Sequence, residues 1–529
     1  MSNKKLKKYA VESFGKKPDV SYFDGDIRLI KNYYEFVNQN KNTDFLVDDI
    51  TWNDLNMDEV YKMINRGLST AGEQYLYYQL RSPAVSSDIF NERKSLIDDM
   101  DSNSSLRNKL QKYFAVLGRC RFVDIKQLFV SEKKTNLTIF KYIFMLLCFI
   151  SSLILAFFNN EFFLVSIIIF AVNSTVHQKI KNKIAPDLFT INYAVNIINF
   201  FKKVKNLKDP IIDKYFFNTY DSYDRIKSVL KIKYLFNSDA DALYQMICSL
   251  TFIDLIFYEL IKHKIKKHSE DVFVIYEASG KLNAAIDIAS FRKLINYSVP
   301  QIDFDKNTKA YISAKDIIHP LVNNCVANDL ETDKSILITG SNATGKSTFL
   351  KAVFINALLS QSICTCFTSE YKSTSFKIYS SMAIRDNIFA EESYYIAEIK
   401  SLKRILNSSE NNDRILCAID EVLRGTNTVE RIAASSEILS SLAIKNVICL
   451  AATHDIELCH ILKNKLVSYH FTEYIDNNEM KFDYKIRYGS ASSRNAIRLL
   501  EIMGYDKETV HRADTLAKTY LEEGIWNQI

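Results

Sequence analysis

Hydrophobic residues in the first 300 positions recur mostly at helical spacing. Between residues 25 and 130, helical patterns are separated by short polar turns, and Leu76 and Leu80 share one helical face within INRGLSTAGEQYLYYQLRSPAV. Similar patterns run from about Pro186 to Pro300, as in LIFYELIKHKIKKH. Only 12 glycines and 6 prolines interrupt the whole chain. We therefore predict an all-helical N-terminal half.

After Pro300 the pattern changes to short apolar runs that are typical of buried strands. Three of them are SILIT (335–339), RILCAID (414–420) and NVICLAAT (446–453), and each is followed by a turn and a helical pattern. Strands that alternate with helices form a mostly parallel sheet with helices on both faces. The predicted fold class is thus α plus α/β, with the α/β part at residues 301–529.

One apolar block interrupts the helical half. The run KYIFMLLCFISSLILAFF ends at Phe158, and from Leu137 onward Lys141 is its single charged residue. At about 1.5 Å per residue it spans about 33 Å, enough for a hydrocarbon core of about 30 Å. A second run, Phe162 to Val176, spans only about 22 Å. The polar turn NNE (159–161) separates the two runs.

The charges around this block favour a two-helix transmembrane hairpin over residues 131–184, with membrane contact through residues 137–178. Lysines flank it on both sides, whereas the turn carries only Glu161. The flanking lysines are Lys133, Lys134, Lys179, Lys181 and Lys183. Positive flanks on both sides place both ends in the cytoplasm. The alternative is a buried helical hairpin in a soluble cytoplasmic protein, because the second run is short and ends in Asn173, Ser174 and Thr175.

The amino-acid composition excludes only a few classes of fold and function. A chain of 529 residues with 47% hydrophobic and 25% charged residues is a folded protein of several domains. The net charge of +6 is too mild to indicate nucleic acid by itself. The nine cysteines form no CxxC pair, which is typical of reduced thiols in the cytosol. The N-terminus lacks the apolar region of a cleavable signal peptide.

A phosphate-binding loop follows the first of the three strands. The segment GSNATGKS fits GxxxxGK[ST] and opens a helical pattern, which is the context that this motif requires. Its glycines let successive amide groups face the phosphates, Lys346 reaches the β- and γ-phosphates, and Ser347 offers a hydroxyl to Mg²⁺. The predicted cofactors are ATP and Mg²⁺. The predicted nucleotide-binding residues are Gly340, Ser341, Asn342, Ala343, Thr344, Gly345, Lys346, Ser347 and Thr348.

Two further strands end in residues that suit ATP hydrolysis. ILCAIDEVLRG delivers Asp420, which we expect to hold Mg²⁺ with Ser347, and Glu421, which we expect to polarise the attacking water. LAATHD places His454 at the carboxyl end of a strand, where ligands of such sheets bind. We predict Glu421, His454 and Lys346 as the catalytic residues of an ATPase.

These segments resemble the ATPase domain of the DNA mismatch repair MutS family. The match rests on HPLVNNCVANDLETDKSILITGSNATGKSTFLKAV, IDEVLRGTNTVER and ATHDIEL. The resemblance implies that Ser393, within SMAIRDNIFAEESYYIAEIKSLKRIL, approaches the nucleotide of a partner subunit in a homodimer. The segment YKIRYGSASSRNAIRLLEIMGYDKETVHRADTLAK resembles the closing helical part, which packs on that second subunit.

A weaker resemblance extends to the helical half. The family's core segment, which leads into the lever arms, is similar to INRGLSTAGEQYLYYQLRSPAVSSDIFNERKSLIDDM. The segment where the lever arms return to the ATPase domain is similar to LNAAIDIASF. Together with the apolar block, the resemblance implies four parts: a helical core and lever region (1–130), the hairpin (131–184), a lever connector (185–300) and the ATPase domain with dimerisation helices (301–529).

The sequence also departs from the family. The mismatch-reading domain has no counterpart, and Phe257-Tyr258-Glu259 matches the family's Phe-x-Glu triplet by coincidence, because it lies in an apolar helical run. The apolar hairpin lies where the family has its DNA clamp. In the phosphate loop, Ser341 and Thr344 replace a proline and a glycine.

Several functions fit these observations. The first is a membrane-anchored MutS-like ATPase that couples nucleotide state to lever movement, acting on DNA or on a protein or membrane partner. The second is a DNA-binding repair factor whose basic clusters around Lys202 and Lys262 grip phosphates. A transporter subunit of the ABC type is disfavoured because an SGGQ-type signature is absent. A non-catalytic scaffold is disfavoured by the complete set of ATPase residues.

Overall fold

The computed structural model describes residues 3–23, 25–40, 44–120, 122–128, 135–233, 242–341, 344–382, 394–410, 413–424, 426–444, 446–476, 479–490, 497, 500, 503–524 and 526. The chain divides into two compact units. The first comprises Met1–Leu46, Tyr61–Ser82 and Asn91–Ile295, and the second comprises Val47–Val60, Pro83–Phe90 and Asn296–Ile529. The predicted four-part division stays a prediction.

The described part of the N-terminal half is helical, as the hydrophobic spacing predicts. Its helices are α1 (Asn3–Glu12), α2 (Asp26–Asn40), α3 (Asp49–Asp54), α4 (Met57–Ile64), α5 (Thr70–Arg81), α6 (Ser87–Ser102), α7 (Ser104–Leu117), α8 (Thr135–Ala156), α9 (Glu161–Lys205), α10 (Pro210–Phe216), α11 (Thr219–Ile226), α12 (Val229–Lys233), α13 (Ala242–Thr251), α14 (Ile253–Lys267) and α15 (Ser269–Arg292), with a short 3-10 helix at Ile125–Leu128. Leu76 and Leu80 on α5 are fully buried, which confirms the helical face that carried the prediction.

Helix α9 is longer than the sequence pattern indicates. The apolar run ends at Val176 and Pro186 would be expected to interrupt a helix, yet α9 continues to Lys205. Beyond Pro186 it packs against α7, α11 and α15 and buries Ile197, Ile198 and Val204 completely. We attribute the continuity of the helix to this packing. The predicted boundary at residues 184 and 185 therefore falls inside one helix.

Helices α8 and α9 contain two windows that are long and apolar enough to cross a membrane by length and composition. These windows are Thr138–Ala156 and Glu161–Ala185, and only 11% and 17% of them is buried. The two helices pack on each other and are joined by residues 157–160, which include both asparagines of the predicted NNE turn.

The second unit contains two sheets. Its strands are β1 (Gln301–Asp303), β2 (Ile312–Ile317), β3 (Asn328–Thr332), β4 (Ile336–Thr339), β5 (Glu370–Thr374), β6 (Lys377–Ser381), β7 (Ile415–Asp420), β8 (Val447–Thr453), β9 (Val467–Asp476) and β10 (Glu479–Tyr488). Its later helices are α16 (Lys346–Ile363), α17 (Tyr394–Ser409), α18 (Thr428–Leu442), α19 (Glu457–Ile461) and α20 (Lys507–Glu523).

The larger sheet has the strand order β10-β9-β4-β8-β7-β6 and is parallel except for the β9–β10 pair. Three of its four interior strands, β4, β8 and β7, are those that the sequence predicts, and their apolar side chains are fully buried or nearly so. The described chain thus has the predicted α plus α/β fold class. The sequence did not predict the smaller sheet, β1-β5-β2-β3, because its strands are short and only half-buried.

Candidate functional site

The predicted phosphate loop lies between β4 and α16. Gly340 leaves β4 with φ of 146°, and Gly345 caps α16 with φ of 103°. Both values fall where only glycine is unstrained. A Cβ on Gly345 would also come within 3.2 Å of the Tyr484 ring. Asn342 and Ala343 lie outside the described residues, so the described loop consists of Gly340, Ser341 and the residues from Thr344 onward.

Lys346 begins α16 and folds back over the loop. Its Nζ donates hydrogen bonds to the carbonyl oxygens of Gly340 (2.6 Å) and Ser341 (2.8 Å). Burial lowers the pKa of Lys346 to about 8, although nearby carboxylates, Asp420 first among them, act in the opposite direction. A phosphate beside this ammonium would favour its charged form and compensate for its burial.

Ser347 and Asp420 come together although they lie on different elements. The Ser347 hydroxyl is hydrogen-bonded to the Asp420 carboxyl. Burial raises the pKa of Asp420, although this hydrogen bond by itself lowers it. A hydroxyl and a carboxylate are hard oxygen donors of the kind that Mg²⁺ prefers. The chemistry of this pair therefore fits the predicted Mg²⁺ site.

Glu421 is held in an unusual backbone conformation next to Asp420. Its φ is 60°, and its N–H donates to the carbonyl oxygen of Ala452 at 2.9 Å. Its carboxylate lies 2.8 Å from Nε of Arg424 and 2.8 Å from Nε2 of His454. At this distance the two predicted catalytic residues, Glu421 and His454, are in direct contact. The positive φ of Glu421 agrees with a functional role, because non-glycine residues with positive φ cluster at functional sites.

The register of the larger sheet explains why these residues meet. Thr339 of β4 pairs with Thr453 of β8, and Asp420 of β7 pairs with Ala452. Because the three strands are parallel, their carboxyl ends lie at one edge of the sheet, where ligands of α/β proteins bind. Gly340, Glu421 and His454 each follow one of these ends.

A cleft of about 520 Å³ opens beside the loop. Lys346, Ser347, Thr348 and Glu421 contribute to its wall. The rest of the lining includes residues to which the sequence assigned no role, namely Val322, Asn323, Asn324, Cys325, Val326, Asn328, Phe349, Phe471 and Tyr484. Apolar and aromatic walls beside a polar loop are typical of sites for small organic ligands.

Asn328 and Tyr484 show why the sequence analysis did not predict this wall of the cleft. Tyr484 lies in a bulge of β10 with φ of 55°. Asn328 Nδ2 donates to the Tyr484 carbonyl oxygen, and its Oδ1 accepts from the Ile486 N–H, both at 2.9 Å. No local pattern in the sequence marks a bulge that is stabilised by a residue more than 150 positions away.

Glu473 of β9 is a second residue that the sequence analysis missed. Its carboxylate accepts a hydrogen bond from the Ser341 hydroxyl, at the position where the family resemblance implies a proline. It also lies close enough to Lys346 to oppose the lowering of that pKa. Ser393 lies outside the described residues, so its predicted role in a partner subunit stays a prediction.

Comparison with known proteins agrees with this geometry. Residues 336–521 match the family model of MutS domain V. This part of the chain belongs to the MutS family. This MutS-like chain is 25% identical to the DNA mismatch repair protein MutS of Methanosarcina barkeri over 290 residues, which are 52% of the chain and 31% of the relative. It is 27% identical to MutS of Thermotoga maritima over 268 residues, or 48% of the chain and 33% of the relative.

A third relative matches a shorter segment more closely. The DNA mismatch repair protein MutS of Thermus thermophilus is 30% identical over 203 residues, which are 37% of the MutS-like chain and 25% of the relative. The chain thus spans about a third of the length of the curated relatives that it matches.

Proposed function

We propose that this MutS-like chain binds ATP with Mg²⁺ in the 520 Å³ cleft and hydrolyses it. The observation that carries the proposal is the meeting of Lys346, the Ser347–Asp420 pair and the Glu421–His454 pair at one edge of a parallel sheet. These residues come from three separate strand ends, so their meeting is a property of the fold and not of one motif.

Each residue has a distinct role in the proposal. Lys346 exchanges its bonds to the loop carbonyls for bonds to the β- and γ-phosphates. Ser347 and Asp420 would hold Mg²⁺, which would supply positive charge beside the phosphates. Glu421 accepts a proton from the water that attacks the γ-phosphate, and His454 holds the Glu421 carboxylate in place at 2.8 Å. Phe471 and Tyr484 provide apolar surface for the base.

The decisive test is ATP hydrolysis by Lys346→Ala. We expect hydrolysis to fall by about 100-fold or more, because the residue contacts the reacting phosphate. The matched control is Lys334→Ala, since Lys334 is an exposed lysine in the turn before β4. Hydrolysis that survives Lys346→Ala would show that the site assignment is wrong.

We also propose that the hairpin of α8 and α9 anchors the chain in a membrane, with the ATPase domain in the cytoplasm. Large apolar side chains on both helices are exposed, among them Phe144, Leu147, Phe163, Leu164 and Ile168. Contiguous exposed apolar surface of this kind marks an interaction site for lipid or protein. Lys179 and Lys183, at the end of the apolar part of α9, are exposed and suit lipid headgroups.

The output of the ATPase is a further part of the proposal. Two copies of the chain would form a homodimer around the nucleotide, with Ser393 acting in the partner's site, and the helical half would move as levers. The relatives are named DNA mismatch repair proteins, so DNA is the first candidate partner. Steeply salt-dependent binding to duplex or mismatched DNA would support it. Lack of binding at low salt would favour a protein or membrane partner.

A further inference from the structure

Helix α13 lies beside the hairpin and shares its apolar character. Its sequence, ALYQMICSLT, contains no charged residue. It packs against both α8 and α9. Met246 and Ile247 are 54% and 45% exposed, whereas Cys248 is buried. An apolar segment of about 10–14 residues is typical of a buried core helix or of a helix that enters a membrane only part-way. The exposure of Met246 and Ile247 argues against a core helix.

Three contacts define how this region runs along α9. Ser249 Oγ lies 3.4 Å from Ser174 Oγ. His177 Nε2 lies 3.0 Å from both carboxylate oxygens of Asp254. Further along, Lys262 Nζ lies 3.3 Å from Asp187.

Ser249 of α13 therefore lies level with Ser174, near the end of the second apolar run of α9. Beyond this level α14 runs parallel to α9, because its contacts with His177 and Asp187 advance in the same direction along both helices.

Phe252 fixes the junction between α13 and α14. Its φ of 52° ends α13 and its side chain is fully buried. The ring stacks on Tyr142 of α8 with centroids 5.7 Å apart and meets the His177 ring of α9 at 5.9 Å. Leu255, Met145 and other apolar residues of the three helices complete this cluster. The C-terminal end of α13 is thus anchored, through Phe252, on both helices of the hairpin.

Charged residues begin just beyond this junction. The His177–Asp254 pair is largely buried, and Lys264, Lys266 and Lys267 follow on α14. Charged groups at membrane depth are paired, and lysines concentrate at the cytoplasmic headgroups. This change from apolar to charged residues coincides with the exposed Lys179 on α9. The two helices therefore change character at the same level.

We propose that α13 lies in the interface of the cytoplasmic lipid leaflet at the base of the hairpin and contacts lipid through Met246 and Ile247. At about 1.5 Å per residue its 10 residues extend about 15 Å, too short to span a hydrocarbon core of about 30 Å. The His177–Asp254 pair lies at the headgroup boundary. This inference rests on the proposed membrane anchoring and adds a lipid-contacting surface that residues 137–178 do not include.

The test measures quenching of tryptophan fluorescence by brominated phosphatidylcholine in vesicles of phosphatidylcholine and phosphatidylglycerol. The full chain contains two tryptophans, Trp52 and Trp526, which supply the background signal. Met246→Trp is the reporter and Phe144→Trp, at an exposed site of the hairpin, is the positive control. Leu260→Trp is the matched control on α14, where the side chain is 41% exposed beyond the proposed boundary.

We expect the fluorescence added by Met246→Trp to be quenched as strongly as that of Phe144→Trp, and that of Leu260→Trp to be unchanged. Quenching of Phe144→Trp without Met246→Trp would overturn the inference and leave the hairpin anchor standing. If neither is quenched, the anchor itself is wrong and the inference fails with it. Quenching of all three would place the lipid boundary beyond Leu260 and contradict the interfacial position of α13. Thermal unfolding of each variant verifies that it is folded.

Discussion

Glu421 combines a strained backbone with the most demanding role in the proposed reaction. Its φ of 60° directs the residue out of the β7 strand geometry at the edge of the cleft. Two residues later, Leu423 also has a positive φ, of 56°, and its N–H is bound by the buried carboxylate of Glu398. The tertiary structure stabilises a conformation that costs about 1–3 kcal/mol for each such residue.

Replacing Glu421 with glutamine tests its role as the base. Glu421→Gln keeps the size of the side chain and removes its ability to accept a proton. We expect the turnover number for ATP to fall by about 10²–10⁴-fold while nucleotide binding is retained. Steady-state kinetics and equilibrium binding of a fluorescent ATP analogue separate the two effects. Glu437→Gln, on the exposed face of α18, is the control. Unchanged turnover in Glu421→Gln would remove the residue from the mechanism.

Asp287 is a buried acid of the first unit and is not part of the candidate site. Burial raises its pKa to about 8, and the Arg66 N–H donates to Oδ2 at 3.3 Å. The folded chain therefore keeps a proton that the unfolded chain releases near pH 4. Stability is greatest below the unfolded pKa, falls as the pH rises towards 8, and is constant above that value.

Asp287→Asn should remove this pH dependence. Relative to the wild type, the free energy of unfolding of the variant should rise between pH 5 and pH 8 by up to about 4 kcal/mol. Urea denaturation at several pH values measures the difference. Asp19→Asn, at an exposed site, should unfold like the wild type at every pH. A constant difference between Asp287→Asn and wild type across this range would contradict the assignment.

At the scale of elements, α5 and α15 approach each other closely through two glycines. A Cβ on Gly72 would lie 2.3 Å from Cγ of Asn283, and one on Gly280 would lie 2.5 Å from Cβ of Tyr75. The Ser69 hydroxyl caps α5 and donates to Asn283 Oδ1 at 2.6 Å. The contact thus joins α5 to the last helix of the first unit.

Gly280→Ala tests this close contact, because we expect the substitution to destabilise the chain, whereas glycine to alanine usually stabilises a helix. In an exposed helix interior, glycine to alanine stabilises by about 1 kcal/mol. Here the added methyl group clashes, so we expect a loss of about 1–3 kcal/mol in the free energy of unfolding. Chemical denaturation measures it. Val274→Ala on the partly exposed face of the same helix should change stability by less than about 0.5 kcal/mol. Stabilisation by Gly280→Ala would show that the helices are further apart.

At the scale of the whole molecule, the proposal joins a nucleotide site in one unit to a membrane anchor in the other. Residues 137–178 are the segment on which the anchor depends, and the windows of α8 and α9 cover it. An apolar hairpin with most of its surface exposed would make a soluble chain prone to aggregation. The location of the whole chain in the cell therefore decides between the membrane-anchored and the soluble interpretation.

Membrane fractionation tests the anchor. We expect the intact chain to sediment with membranes and resist alkaline extraction, and a chain without residues 137–178 to become soluble. Because the deletion also removes Tyr142 and His177 from their packing, Ile168→Lys provides a second variant at a site that is 62% exposed. A lysine at the middle of a membrane helix costs about 3 kcal/mol, so this variant should be extracted more readily. An intact chain in the soluble fraction would refute the anchor and strengthen the DNA-repair interpretation.

The sequence by itself determined the elements whose signals are local. Hydrophobic spacing identified α5 and α14, apolar runs identified β4, β7 and β8, and the glycines of GSNATGKS identified the loop between β4 and α16. These signals are local because helix and strand periods, and the positive φ of glycine, depend on neighbouring residues. Lys346, Ser347, Asp420, Glu421 and His454 could be named for the same reason, since each lies at the end or the start of such an element or directly after it.

Only the tertiary structure decided how these elements meet and what surrounds them. The contact between Glu421 and His454, the Tyr484 bulge held by Asn328, and Glu473 beside Ser341 all join residues that are distant in sequence. The continuation of α9 through Pro186 and the place of α13 beside the hairpin likewise depend on packing between helices. A short strand or a ten-residue apolar helix looks the same in sequence whether it is buried or exposed, because burial is a property of its neighbours in space.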